Sequence, residues 1–218
     1  MAKKEMIGSV LANNRDRKNI KNIARVMNKV DRKYFVNSKN PYIDSPISIG
    51  YGQTISQPTT VARMLSLLEL KKGQNVLEIG SGSGYNAALI ACMVNPGKVF
   101  SVERINELSK IASKNYSSVK TKLKLNNIEF IFADALDKNG KIWKMKYDRI
   151  ITTAAANSDF VENLIEMGKE LLNENCMILF PTQDGNMELW QLKDKKLRKI
   201  YSEYGYSFVP LIKGTQQF

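Results

Sequence analysis

The chain predicts an α/β fold: a twisted, mostly parallel sheet with helices on both faces and antiparallel strands at its C-terminal end. Three observations carry this expectation. Short apolar runs alternate with segments of helical periodicity from residue 75 onward. A strand runs straight into three alternating glycines, Gly80, Gly82 and Gly84, and then into a helix. The last two apolar runs, 187–192 and 197–206, are separated only by a charged turn at 193–196, which suits antiparallel neighbours.

The elements follow in order. Over residues 17–30, Ile20, Ile23, Met27 and Val30 are spaced by three, four and three, one stripe of an amphipathic helix with bases on its other face. Residues 38–58 lose all periodicity and gather Pro41, Pro46, Gly50, Gly52 and Pro58. They read as a long loop, a kind of segment that is usually functional in a compact domain. Helical spacing resumes over 59–70 through Val61, Met64, Leu65 and Leu68, and Gly73 closes it. The alternation then runs strand 75–79, helix 85–93, strand 98–103, helix 106–120, and strands 128–133 and 147–152. Residues 158–172 read as a helix whose buried face carries Phe160, Val161, Leu164, Ile165 and Leu172. Residues 176–180, between Asn175 and Pro181, read as a buried strand. One compact domain is expected, with a helical N-terminal extension and functional loop over 1–70 and the α/β core over 71–218.

Composition narrows the chemistry. The 218 residues contain no histidine and only two cysteines, Cys92 and Cys176, neither in a CxxC pair. Zinc sites, cysteine–histidine nucleophiles and serine–histidine–aspartate triads are thereby excluded, and no metal is expected. Both thiols are expected to pack as small buried hydrophobes. No apolar run approaches the roughly 20 residues of a membrane span, and no signal peptide is visible, so the chain reads as cytoplasmic. The net charge of +12 is uneven, since residues 1–40 hold eleven bases against three acids. Such an end either steers an acidic partner or forms a solvated helix face. The aromatics are scattered rather than grouped on one platform, which argues against a nucleic-acid partner.

The central signal is Val76-Leu-Glu-Ile-Gly80-Ser-Gly82-Ser-Gly84-Tyr85. Glycine permits a tight turn and lets a ligand approach bare backbone, and the following helix points its amides at that ligand. The spacing is GxGxG; a dinucleotide turn would be GxGxxG, and its third place is taken here by Tyr85. Glu103 ends the second strand, 19 residues beyond Gly84. An acid there suits the two hydroxyls of a ribose, and Asp134, at the end of the third strand, suits an adenine amino group. Serving as helix caps or solvated strand ends is the other reading of these acids.

These residues resemble the cofactor-binding pattern of methyltransferases dependent on S-adenosylmethionine. The loop Ile49-Gly-Tyr-Gly-Gln-Thr-Ile-Ser56-Gln-Pro58 resembles the signature loop of one family among them, the protein-L-isoaspartate O-methyltransferases. The resemblance continues in order through Arg25–Phe35, Val76–Ala88, Ser101–Arg104, Tyr147–Ile150, Thr153–Ala156 and Phe208–Leu211. It implies a Rossmann-like methyltransferase fold and methyl transfer from S-adenosylmethionine to the carboxylate of isoaspartyl residues in damaged proteins, a repair reaction whose other product is S-adenosylhomocysteine. A related carboxyl or small-molecule methyltransferase with a changed acceptor is the alternative.

For the site, the resemblance implies Ser56 as the active-site residue, with Thr54 and Ile55 beside the cofactor. Glu78, Gly80, Ser81, Gly82, Gly84, Tyr85, Asn86, Glu103, Arg104, Asp134 and Ala135 complete the cofactor site. Gln57, Val209, Pro210 and Leu211 are implied on the peptide side. Three alternatives stay open: Ser56 capping the helix that begins near Pro58, Tyr85 packing in the core, and Val209–Leu211 packing at the edge after the last strand. The family pattern commonly has glycine where Ala135 stands, and bulkier residues than Thr59 and Thr60.

Overall fold

The computed structural model describes residues 1–157, 160, 162–164 and 172–218. Helices α1 (Lys3–Asn13) and α2 (Ile20–Lys29) lead to a hairpin of β1 (Ile47–Gly50) and β2 (Gln53–Ile55), then to α3 (Pro58–Leu68). The core follows as β3 (Val76–Ile79), α4 (Tyr85–Val94), β4 (Val99–Glu103), α5 (Asn106–Leu123), β5 (Ile128–Phe132) and β6 (Tyr147–Thr152). It closes with β7 (Leu172–Pro181), β8 (Asn186–Lys193) and β9 (Lys196–Tyr204).

Seven strands form one sheet in the order β5-β4-β3-β6-β7-β8-β9. The pairs from β5 to β7 are parallel, while β8 and β9 are antiparallel. The expected sheet is borne out. From β3 the chain winds outward through β4 and β5, then returns to β6 on β3's other side. The strand order therefore reverses between β3 and β6, and a crevice opens beyond their carboxyl ends, where open α/β sheets bind ligands.

Strand alternation divides the core. Leu77 and Ile79 join Phe100, Val102, Ile150 and Ile178 on one face. Val76, Val99, Ile151 and Leu179 join Met27, Leu65, Leu89 and Tyr116 from α2 to α5 on the other. The central strands β3, β4 and β6 are buried on both faces, which accounts for their near-continuous apolar runs in the sequence.

The structure adds two elements that periodicity did not reveal. Helix α1 buries only Met6 and Val10, one turn apart. The loop at 38–58 contains the β1–β2 hairpin, whose turn needs positive φ at Gly50, Tyr51 and Gly52. Most of the helix expected at 158–172 lies outside the described residues; Phe160 and 162–164 are helical. Leu172 is a correction: it opens β7 and pairs with Tyr147, because a short apolar run looks alike at a helix end and a strand start. Cys176 is buried as expected, but Cys92 is only half-buried, and both are free. The stripe Ile20, Ile23, Met27 and Val30 is buried. Lys21, Arg25 and Lys29 on the opposite face are exposed.

An ionic cluster ties the N-terminal helices to β9. Glu203 accepts hydrogen bonds from Arg63 Nε at 2.8 Å, from Arg63 Nη2, and from the hydroxyls of Tyr201 and Tyr206 at 2.7 and 2.6 Å. Arg17 lies over the Tyr201 ring and donates to its hydroxyl at 2.9 Å. Burial pushes the Glu203 carboxyl up, but Arg63 and the two phenols outweigh it and hold the group at about 2. The folded state is therefore favoured above the ordinary carboxylate range and loses that advantage as pH falls toward 2. We expect Glu203→Gln to cost about 1 kcal/mol at pH 7, the worth of an ordinary hydrogen bond to a charged group at a partly wet site. Denaturant unfolding should show wild type and variant converging between pH 4.5 and pH 2; a gap that persists at pH 2 would refute the ionic origin.

Candidate active site

The glycine turn is shaped by its neighbours. Gly80 has φ +97°, and a Cβ there would lie 2.4 Å from Thr153 Oγ1, the atom that donates to Gly80 O at 2.7 Å. Thr153 follows β6, so this contact closes the floor of the crevice between β3 and β6. At Gly84, φ is +82° and a Cβ would come within 3.0 Å of Ala112 O on α5. The third glycine thus serves helix packing as well as the turn.

Two acids anchor the turn from different depths. Glu103 Oε2 accepts from Gly82 N at 2.9 Å, and Oε1 accepts from Ile105 N at 3.1 Å. Beneath the turn, Glu78 is fully buried and accepts from Ser101 Oγ at 2.5 Å and Asn86 Nδ2 at 2.8 Å. The Ser101 and Ser81 hydroxyls are 2.7 Å apart, which continues the chain to the turn itself. Burial pushes the Glu78 carboxyl up to about 7, against the pull of these two hydrogen bonds.

The crevice has two adjoining chambers. The larger, about 670 Å³, is lined by Glu103, Arg104, Asp134 and Ala135, with Val102, Ile105 and Ala133 as apolar wall and Val209–Leu211 at its side. The smaller, about 410 Å³, is lined by Ile55, Ser56, Ser81, Tyr85 and Asn86. Thr54, Gly80, Gly82 and Thr153 line both and stand where the two adjoin. A mostly apolar slot with a few placed polar groups suits a nucleoside cofactor. Asp134 already accepts from Leu136 N at 2.8 Å and Gly214 N at 2.7 Å, which turns its carboxylate toward the chamber rim.

The loop bearing Ser56 is held from behind. Its helix-capping reading does not survive, because Gln57 occupies the N-cap of α3 and Asp44 Oδ1 takes the Thr59 N–H at 3.0 Å. Ser56 Oγ has no hydrogen-bond partner among the described residues and lines the smaller chamber. Arg32 is fully buried beneath the loop, donating to Pro41 O at 2.9 Å and Ile55 O at 3.5 Å, with its guanidinium over the Tyr85 ring. Burial draws it down to about 10, so it stays charged at neutral pH.

Most expected site residues converge on the two chambers. Three do not: Gln57 turns away to accept from Thr60 Oγ1, Glu78 lies under the floor, and Gly84 packs on α5. Thr59 and Thr60 line neither chamber, whereas Ala135 lies in the wall of the larger one. Tyr85 does both of its alternatives, packing on Phe35 and lining the smaller chamber. Sequence reasoning missed Arg32, Ser101, Thr153 and the C-terminal residues Gly214 and Gln216. The signal for Ser101 and Thr153 was that the family resemblance runs through Ser101–Arg104 and Thr153–Ala156; Ser101 lies within β4 and Thr153 just after β6. Among the described residues no group of acids and cysteines could hold a metal ion, and no helix is long and apolar enough to cross a membrane.

A reversed sheet with an acid-lined crevice at its switch point, adjoined by a second chamber, is the arrangement of the Rossmann-like methyltransferases. Comparison with known proteins makes this specific. A family model for protein-L-isoaspartate(D-aspartate) O-methyltransferase matches residues 2–216. The protein-L-isoaspartate O-methyltransferase of Thermosipho melanesiensis is 40% identical over 202 residues, covering 88% of this chain and 94% of its own. That of Pyrococcus horikoshii is 38% identical, covering 87% and 84%. Among solved structures, a Plasmodium falciparum protein assigned to the same enzymes, in complex with S-adenosyl-L-homocysteine, superposes with a TM-score of 0.76 at 29% identity, covering 94% of this chain and 98% of that one. The chain belongs to the protein-L-isoaspartate O-methyltransferase family.

The Glu78 environment has a measurable consequence. A carboxyl raised to about 7 when folded binds more protons than its unfolded form between roughly pH 4.5 and 7. Its contribution to stability is complete below pH 4.5 and lost as pH rises through 7. Glu78→Gln does not titrate, so the stability of wild type relative to this variant should fall across that window. Thermal melts with a pH-independent difference would contradict the assignment.

Proposed function

We propose that this enzyme methylates isoaspartyl residues of damaged proteins in the two-chambered crevice, with the cofactor's nucleoside in the larger chamber and the acceptor carboxylate entering the smaller one beside Ser56. The family match over residues 2–216 carries the activity. The observation that supports the placement is that Thr54, Gly80, Gly82 and Thr153 line both chambers, so the two adjoin. When bound, S-adenosylmethionine supplies a sulfonium methyl whose S–C bond breaks as a carboxylate oxygen bonds to the carbon, leaving a neutral thioether.

The protein's task is then one of positioning. An isoaspartyl α-carboxylate is ionised at neutral pH and needs no general base, which agrees with a chain that has no histidine. Glu103 is assigned the ribose hydroxyls, Asp134 and Ala135 the adenine edge, and Tyr85 and Asn86 the methionine end. Ser56 donates a hydrogen bond that aims the acceptor, while Val209–Leu211, which line the larger chamber, are assigned the peptide backbone by the family resemblance. Holding two reactants in line and away from water supplies up to about 7–11 kcal/mol in favourable cases. The same reading treats residues 1–70 as an extension of one domain. A single apolar cluster running from Val10 and Ile23 through Leu65 to Ala88 supports this. A cytoplasmic location belongs to the reading too, supported by two unpaired thiols.

Labelled methyl transfer to paired peptides, one with isoaspartate and one with aspartate, tests the acceptor. We expect label only in the first; labelling of both, or of neither, overturns it. Ser56→Ala should lower turnover about tenfold, the loss of one hydrogen bond to a charged group, and leave S-adenosylhomocysteine affinity within about twofold. Unchanged turnover would remove Ser56 from the mechanism.

A further inference from the structure

Beyond Leu211 the chain passes from the wall of the larger chamber to two of its lining residues, Asp134 and Arg104. Ile212 lines that chamber. Gly214 N donates to Asp134 Oδ2 at 2.7 Å. Gln216 N donates to Arg104 O at 2.7 Å, and Asn106 N to Gln216 O at 3.0 Å. The Arg104 side chain completes the connection, with Nε donating to Gly214 O at 3.0 Å and Nη2 to Gln216 Oε1 at 3.2 Å. The terminal Phe218 ring rests 5.0 Å from Tyr51 at the tip of the β1–β2 hairpin, so the segment spans from the adenine end to the acceptor loop.

Little apolar burial holds this segment down. Ile212 is 46% exposed and Phe218 70% exposed. Its attachment rests on directed hydrogen bonds, and segments held that way open at low local cost. Two of Arg104's donor nitrogens are committed to the segment.

We propose that Arg104 is a positioning residue: it clasps residues 212–216 as a strap over the adenine end of the crevice, the strap orients Asp134, and together they set how long the cofactor is retained. This rests on the placement of the nucleoside in the larger chamber. A freed strap leaves Asp134 without Gly214, so the product cofactor leaves faster.

The test follows release of S-adenosylhomocysteine from preformed complexes of wild type, Arg104→Gln, Arg104→Lys and a chain ending at Lys213. Arg104→Gln and the shortened chain should each release it about tenfold faster, as expected for losing hydrogen bonds to a charged group. Arg104→Lys keeps the charge without the fork and should fall between them and wild type. The melting temperature of the unliganded variants should stay near that of wild type. Unchanged release in both, or faster release matched by a general loss of stability, overturns the strap. Failure of wild type to bind S-adenosylhomocysteine would instead sink the placement of the cofactor itself.

Discussion

The hydrogen bond from Gly82 N to Glu103 Oε2 joins the first strand's turn to the end of the second strand, and the crevice takes its shape from that join. The reversal of strand order between β3 and β6 opens a space beyond their ends, but a space alone selects nothing. Glu103 selects by placing a carboxylate, 6% exposed, on the chamber wall while holding the turn open at Gly82. Glu78 props the same turn from below through Asn86 and the Ser101–Ser81 pair. Gly80 and Thr153 bring β3 and β6 together more closely than any side chain at Gly80 would permit.

The acceptor side is built on a different principle. It comes from the N-terminal third of the chain, which contributes no strand to the main sheet. Arg32, Asp44 and the β1–β2 hairpin support it: a buried guanidinium behind Ile55, a carboxylate capping α3, and a turn of three positive-φ residues. None of the residues lining the smaller chamber carries a formal charge, and the Arg32 guanidinium is set behind Ile55 and Tyr85. The chamber proposed for the acceptor therefore offers no direct ion pair among its lining residues.

The fold was legible wherever burial imposed a period. The stripe of α2, the alternating runs of β3 to β6 and the antiparallel closure were all read from spacing. So was the special character of Gly80, Gly82 and Gly84, since three glycines between a strand and a helix have few other uses. Helix α1 escaped because one turn with two buried residues sets no period. The hairpin escaped because its strands are three and four residues long and its turn gathers the glycines that mark a loop. The family resemblance located Ser56 and the crevice residues, but not their supports. Arg32 looked like one more base on a basic helix face, and Gly214 acts through a backbone amide toward a residue 80 positions away. Contacts of that kind leave no local pattern.

The central claim is that the crevice at the ends of β3 and β4 holds a ribose through Glu103. A binding cycle pairing Glu103→Gln with the 2′-deoxy analogue of S-adenosylhomocysteine isolates that contact by calorimetry. The account predicts that removing the hydroxyl weakens binding to wild type about tenfold, as expected for a hydrogen bond to a charged group, and weakens binding to the variant far less. An equal loss in both proteins would contradict it.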